Sequence, residues 1–125
     1  MAGATGVLTR LDIVSVQRKL QEGLPPEASH CFAVATSTTS AATAIPAELQ
    51  NTRSEWLAEA DIHLVFGTSN AVTADRTATS GATVTWLLKS GVVQSFMIPL
   101  VDGLTHFATQ AASGTPILRF RKASH

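Results

Sequence analysis

Four histidines, His30, His63, His106 and His125, are the side chains best suited to hold a metal or move a proton near neutral pH. His63 and His106 each fall inside strand-like alternation, and Asp61 precedes His63 by two residues. Neighbouring strands that brought these three together would give them the ligand set of a zinc site. No two histidines have the close spacing of a known metal motif, so hydrogen-bonded or interface histidines are the plainer reading. Glu55, Glu59, Asp61, Asp75 and Asp102 supply carboxylates. Paired acid–base work needs two of them held in one cleft, and nothing in their spacing provides such a pair. The serines lack a G-x-S-x-G or similar activating context, and the glycines are scattered singly, so no phosphate cradle is visible. The chain is therefore expected to be no enzyme, with no catalytic residue, metal ligand or cofactor. Cys31, the only cysteine, excludes an internal disulfide and is expected to be a small buried apolar residue.

The element that must position such residues is the stretch Trp56–Gly67. Trp56, Ala58, Ala60, Ile62, Leu64 and Phe66 take every second position, with Glu59, Asp61 and His63 among the residues between them. Successive side chains of a strand point to opposite faces, so one face is apolar throughout and the other mostly polar, as in a half-buried strand. Leu49, Arg53, Trp56, Leu57 and Ala60 also follow helical spacing. The β-branched and aromatic run Ile62–Phe66 decides for the strand and confines any helix to residues 46–52.

A chain of 125 residues makes one domain able to bury about two-thirds of its unfolded surface. Charged residues are 14% of the sequence, against about 25% in an average domain. The surface is thus built from Thr, Ser, Ala and Asn, which suits coverage by a partner. Nine basic and nine acidic residues cancel, leaving no excess of positive charge to release counterions from a nucleic acid. No apolar run is long enough for a membrane span and no leader follows Met1, so a soluble protein made in a cytoplasm is expected. The absence of tyrosine disfavours a sugar- or antibody-like recognition surface.

Residues 1–27 do not match the rest of the chain. Leu8, Leu11, Ile13, Val14, Val16 and Leu20 fit neither period, Arg10, Arg18 and Lys19 concentrate basic charge, and Gly23 with Pro25-Pro26 breaks any regular element. This reads as an N-terminal arm and hinge, either packed on the domain or reaching a neighbouring subunit, before a domain over 28–125. Within that domain alternation recurs around Phe32–Thr36, Ala82–Leu88, Val92–Ile98, Leu104–Thr109 and Ile117–Arg121, with Leu118 and Phe120 opposite Arg119 and Arg121. Lys89-Ser90-Gly91 predicts a hairpin turn between the second and third of these. Thr68–Gly81 is an unusually long polar loop. About seven short strands separated by Gly, Pro, Asp and Ser predict an all-β fold, an antiparallel β-sandwich of jelly-roll-like kind. Trp56, Phe66, Trp86, Phe96, Phe107 and Phe120 are its expected core.

Over residues 45–122 the succession Ile45-Pro46-Ala47-Glu48-Leu49, Trp56-Leu57-Ala58-Glu59-Ala60, Asp61-Ile62-His63-Leu64-Val65-Phe66-Gly67, Thr105-His106-Phe107-Ala108-Thr109-Gln110-Ala111-Ala112 and Ile117-Leu118-Arg119-Phe120-Arg121-Lys122 resembles the small β-sandwich structural proteins of tailed bacteriophages. The turn Lys89-Ser90-Gly91 departs from that pattern, and the first 30 residues lie outside it. The resemblance implies a virion component, foremost a capsid decoration or cement protein bound outside the major capsid shell and bridging capsomers. The partners it implies are the major capsid protein and further copies of the chain, as a homodimer or homotrimer. A tail, neck or fibre-base protein, a carbohydrate-binding sandwich using Trp56 or Trp86, and a cupin-type metal enzyme are the competing expectations.

Overall fold

The computed structural model describes residues 24–124. Residues 1–23 of the expected arm, with its basic residues, and His125 lie outside the described residues. The described residues form eight strands: β1 (Cys31–Ala35), β2 (Ala41–Ala44), β3 (Arg53–Ala58), β4 (Ile62–Gly67), β5 (Trp86–Leu88), β6 (Gln94–Met97), β7 (His106–Ala111) and β8 (Ile117–Lys122). They form two four-stranded antiparallel sheets in the orders β1-β8-β3-β6 and β2-β7-β4-β5. Every connection crosses from one sheet to the other except β4–β5, which is the chain path of a jelly roll. The expected all-β sandwich is what the chain adopts. The only helical turns among the described residues are short 3-10 segments at Ala28–His30, Ala47–Leu49 and Leu100–Asp102.

The organising stretch is two strands rather than one. Glu59, Ala60 and Asp61 carry the chain from β3 in one sheet to β4 in the other, and Ala60 is exposed. An odd number of crossing residues preserves the alternation, so Trp56, Ala58, Ile62 and Leu64 all point into the space between the sheets and are buried. Carboxylates fix this corner. Asp61 accepts the Ser90 backbone N–H at 2.9 Å and the Lys89 ammonium at 3.1 Å. Glu59 accepts the Arg119 guanidinium at 2.7 Å and the Ile117 N–H at 3.1 Å.

Trp56 is the centre of the core. Its indole stacks on Phe120 at 4.4 Å between ring centroids and meets the edges of Phe107 at 5.1 Å and Phe66 at 5.6 Å. Its ring N–H donates to the Ser54 hydroxyl at 2.8 Å, which donates onward to the Phe96 carbonyl at 3.1 Å, so the buried polar atoms are paired. Phe66 and Phe96 are partly buried against this cluster.

Three further expectations fail. Lys89-Ser90-Gly91 is no hairpin, because β5 and β6 belong to opposite sheets; Gly91, at φ +73°, turns the chain across the sandwich and donates its N–H to the Ala58 carbonyl. Trp86 is not core but 66% exposed. It pairs with Leu64 on the inner side of an edge strand, where the sandwich opens to solvent, and its indole N–H reaches Gln94 on the facing sheet at 3.1 Å. Cys31 is exposed, since it faces outward from the edge strand β1.

Candidate interaction surface

The residues able to do chemistry are dispersed by the fold. Within the β4–β7 ladder His63 pairs with Gln110 and His106 pairs with Gly67. The two imidazoles are therefore about four residues, or roughly 13 Å, apart along the strands. His63 shares a hydrogen bond with the Thr85 hydroxyl at 3.1 Å, and His106 with that of Thr105 at 2.8 Å. Burial is the main influence holding the His63 imidazole below its ordinary pKa; Arg76 adds to it and Asp61 opposes it. Among the described residues no three His, Cys, Asp or Glu side chains are grouped to hold a metal ion. The lowered carboxyls are each explained by structural bonds: Glu59 by Arg119 and then Ile117, Asp61 by Ser90 and then Lys89, and Asp75 by the hydroxyl and N–H of Thr77.

The two outer faces of the sandwich differ. The long connection between β4 and β5 is an ordered cover over one of them. In it the Ala74 N–H donates to the Ser40 hydroxyl at 2.8 Å and the Arg76 N–H to the Gln110 side-chain carbonyl at 2.7 Å. Ala74 and the outward-pointing Ala108 are both buried. This loop is thus a lid on the β2-β7-β4-β5 sheet.

Among the described residues, no such lid lies on the outer face of β1-β8-β3-β6. Register places Cys31, Arg121, Glu55 and Ser95 in one row across it, and Ala33, Arg119 and Leu57 in the next. A shallow trough of about 580 Å³ runs over this face, with Ala33, Leu57 and Val93 on its apolar part and Pro26 at the rim. Its charges are mutually satisfied: Arg121 binds Glu55 at 2.6 Å and Arg119 binds Glu59 at 2.7 Å. A surface whose charges are already paired offers area rather than a strong local field.

Exposed large hydrophobics gather where this face ends. Trp86 of β5, Val92 and Val93 of the crossing, Met97 of β6 and Leu57 of β3 are all exposed. Val93 is 54% exposed and Met97 62%. Single exposed apolar residues need no explanation, whereas a group along one edge is a candidate contact surface. Sequence reading passed over this edge because it assigned Trp86 to the core. The signal that finds it is the run Ser90–Val101, in which no residue is charged.

Fold and surface together define, over the described residues, an eight-stranded jelly roll with one outer face covered by a loop and one left uncovered, ending in an apolar edge. No family model, curated protein or solved structure matches the chain. Among the described residues no helix is long and apolar enough to cross a membrane.

Proposed function

We propose that the chain is a structural protein of a tailed-bacteriophage virion: a decoration protein that binds the outside of the major capsid shell and bridges capsomers. The observation that supports this reading is the outer face of β1-β8-β3-β6, uncovered among the described residues, with its apolar edge. The sequence pattern over residues 45–122 supplies the phage assignment, and jelly rolls are a recurrent architecture of capsid proteins.

The mechanism is burial. A shell under internal pressure parts where capsomers meet, and a protein seated across the seam must be detached before they separate. A standard interface covers about 800 Å² per partner. Apolar area contributes roughly 25 cal/mol per Å², from which association costs of several kcal/mol are subtracted. One copy therefore stabilises its seam modestly, and symmetry multiplies the gain over the shell.

Immunogold labelling of intact particles carrying the protein is expected to decorate the head exterior, and particles lacking it are expected to release DNA at lower temperature. Label on the tail or neck would transfer the chain to those parts, and its absence from particles would overturn the reading. A second reading is favoured by Trp86 alone, whose exposed indole, steadied by Gln94, would serve as a stacking platform for a sugar ring. Glycan-array binding that disappears in Trp86→Ala would establish it in place of the first.

A further inference from the structure

We propose that two copies of this chain pair edge to edge through β6, antiparallel about a two-fold axis at Ser95, joining their bare faces into one eight-stranded surface. The inference rests on the assembly reading under Proposed function and names the partner of its apolar edge.

β6 is hydrogen-bonded to β3 on one side and forms the end of its sheet on the other. Such an edge is a template for another strand, and proteins that must avoid pairing place charges, prolines or bulges on it. Here the strand Gln94–Met97 has no charge and no proline, and no charge occurs anywhere from Ser90 to Val101. The chain's net charge of zero removes long-range repulsion between copies.

The order of residues makes this edge self-complementary. Ser95 lies on the outer face with Val93 and Met97 two positions to either side. A two-fold axis through Ser95 sets Val93 opposite Met97 of the second copy, and Met97 opposite its Val93. Among the described residues these are two of the most exposed large apolar side chains, and each covers the other across the new ladder. β1, at the far edge of the same sheet, exposes only Cys31 and two alanines, so it has no comparable apolar pair.

Area points the same way. Four strands about 4.8 Å apart, the longest of 6 residues, give a face of at most roughly 19 by 20 Å, or about 400 Å². That is half of the ~800 Å² per partner that a stable interface requires. Two chains joined at β6 double the face, bring two troughs side by side and reach that size, which suits a protein that must lie across a seam between two neighbours.

The test uses the purified full chain, so its outcome is independent of capsid binding. Light scattering after gel filtration is expected to give about twice the 13.1 kDa chain mass. Met97→Lys and Val93→Lys, both at exposed positions, are expected to shift the protein to monomer with an unchanged circular dichroism spectrum. Ser95→Cys in a Cys31→Ala background is expected to cross-link into covalent dimers on oxidation or with a short bis-maleimide. A monomeric or trimeric wild type would overturn the proposal. So would a dimer that survives both lysine substitutions and fails to cross-link through Cys at 95, which would place the contact on another surface.

Discussion

The two tryptophans occupy equivalent positions in the alternating pattern, yet the fold gives them opposite roles, and replacing each by alanine separates those roles. Trp56 is fully buried and touches Phe66, Phe96, Phe107 and Phe120, so Trp56→Ala opens a cavity at the point where the two sheets meet. Truncating a buried large aromatic costs about 3–5 kcal/mol. This is a large share of the ~5–15 kcal/mol that holds a domain together. The melting temperature should fall by roughly 10–20 °C, at about 4 °C per kcal/mol for a chain of 125 residues. Trp86 is 66% exposed, and Trp86→Ala should change stability by less than about 1 kcal/mol. Urea unfolding followed by circular dichroism gives both values. Each variant also keeps a single indole: Trp86→Ala should emit at the short wavelength of a buried ring, Trp56→Ala at the long wavelength of a solvated one. If Trp56→Ala proves too unstable to purify, Trp56→Phe retains a ring but removes the N–H held by Ser54, with an expected loss of about 1–3 kcal/mol. Equal losses from the two alanine variants, or a red-shifted emission from Trp56 alone, would refute this account of the core.

Two further outcomes rest on local geometry. Burial and Arg76 depress the pKa of His63, so the unfolded chain takes up its proton more readily than the folded one. Stability from this group is complete above the ordinary value of about 6.5 and declines as pH falls below it. Urea midpoints measured between pH 7.5 and 5.5 should drop in the native protein and flatten in His63→Gln; the lowered carboxyls of Glu59, Asp61 and Asp75 act only at more acidic pH. At Gly67, an added Cβ would lie 2.5 Å from Cβ of Val72, whose backbone begins the lid loop. Gly67→Ala should cost about 1–3 kcal/mol. Val72→Gly in the same chain should recover part of the loss in a thermal melt.

Alternation made the sandwich legible because it records which way side chains point, and Leu118 with Phe120 opposite Arg119 and Arg121 behaves as the pattern says. The pattern does not record where a strand stops. Three residues at Glu59–Asp61 keep its phase while changing sheets, so one rhythm covers two strands. Lys89-Ser90-Gly91 likewise has turn chemistry, which specifies a bend and not whether the chain returns within its own sheet or arches to the other. Trp86 satisfied the inward phase; its exposure comes from standing on an edge strand, a property of sheet order that no local window contains. The paired charges of the bare face are also non-local, joining Arg121 to Glu55 and Arg119 to Glu59 across a ladder. Thr68–Gly81 was legible as a long loop, but its attachment to Ser40 and Gln110 was not.

The start of the described chain is fastened to its finish. The Leu24 N–H donates to the Ala123 carbonyl at 2.7 Å, and the Arg121 guanidinium donates to the Leu24 carbonyl. This corner belongs to β8, and β3 stands between it and β6. A probe attached at Leu24 or Ala123 would consequently leave from one side of the sandwich, with β3 between it and the strand on which self-pairing is expected.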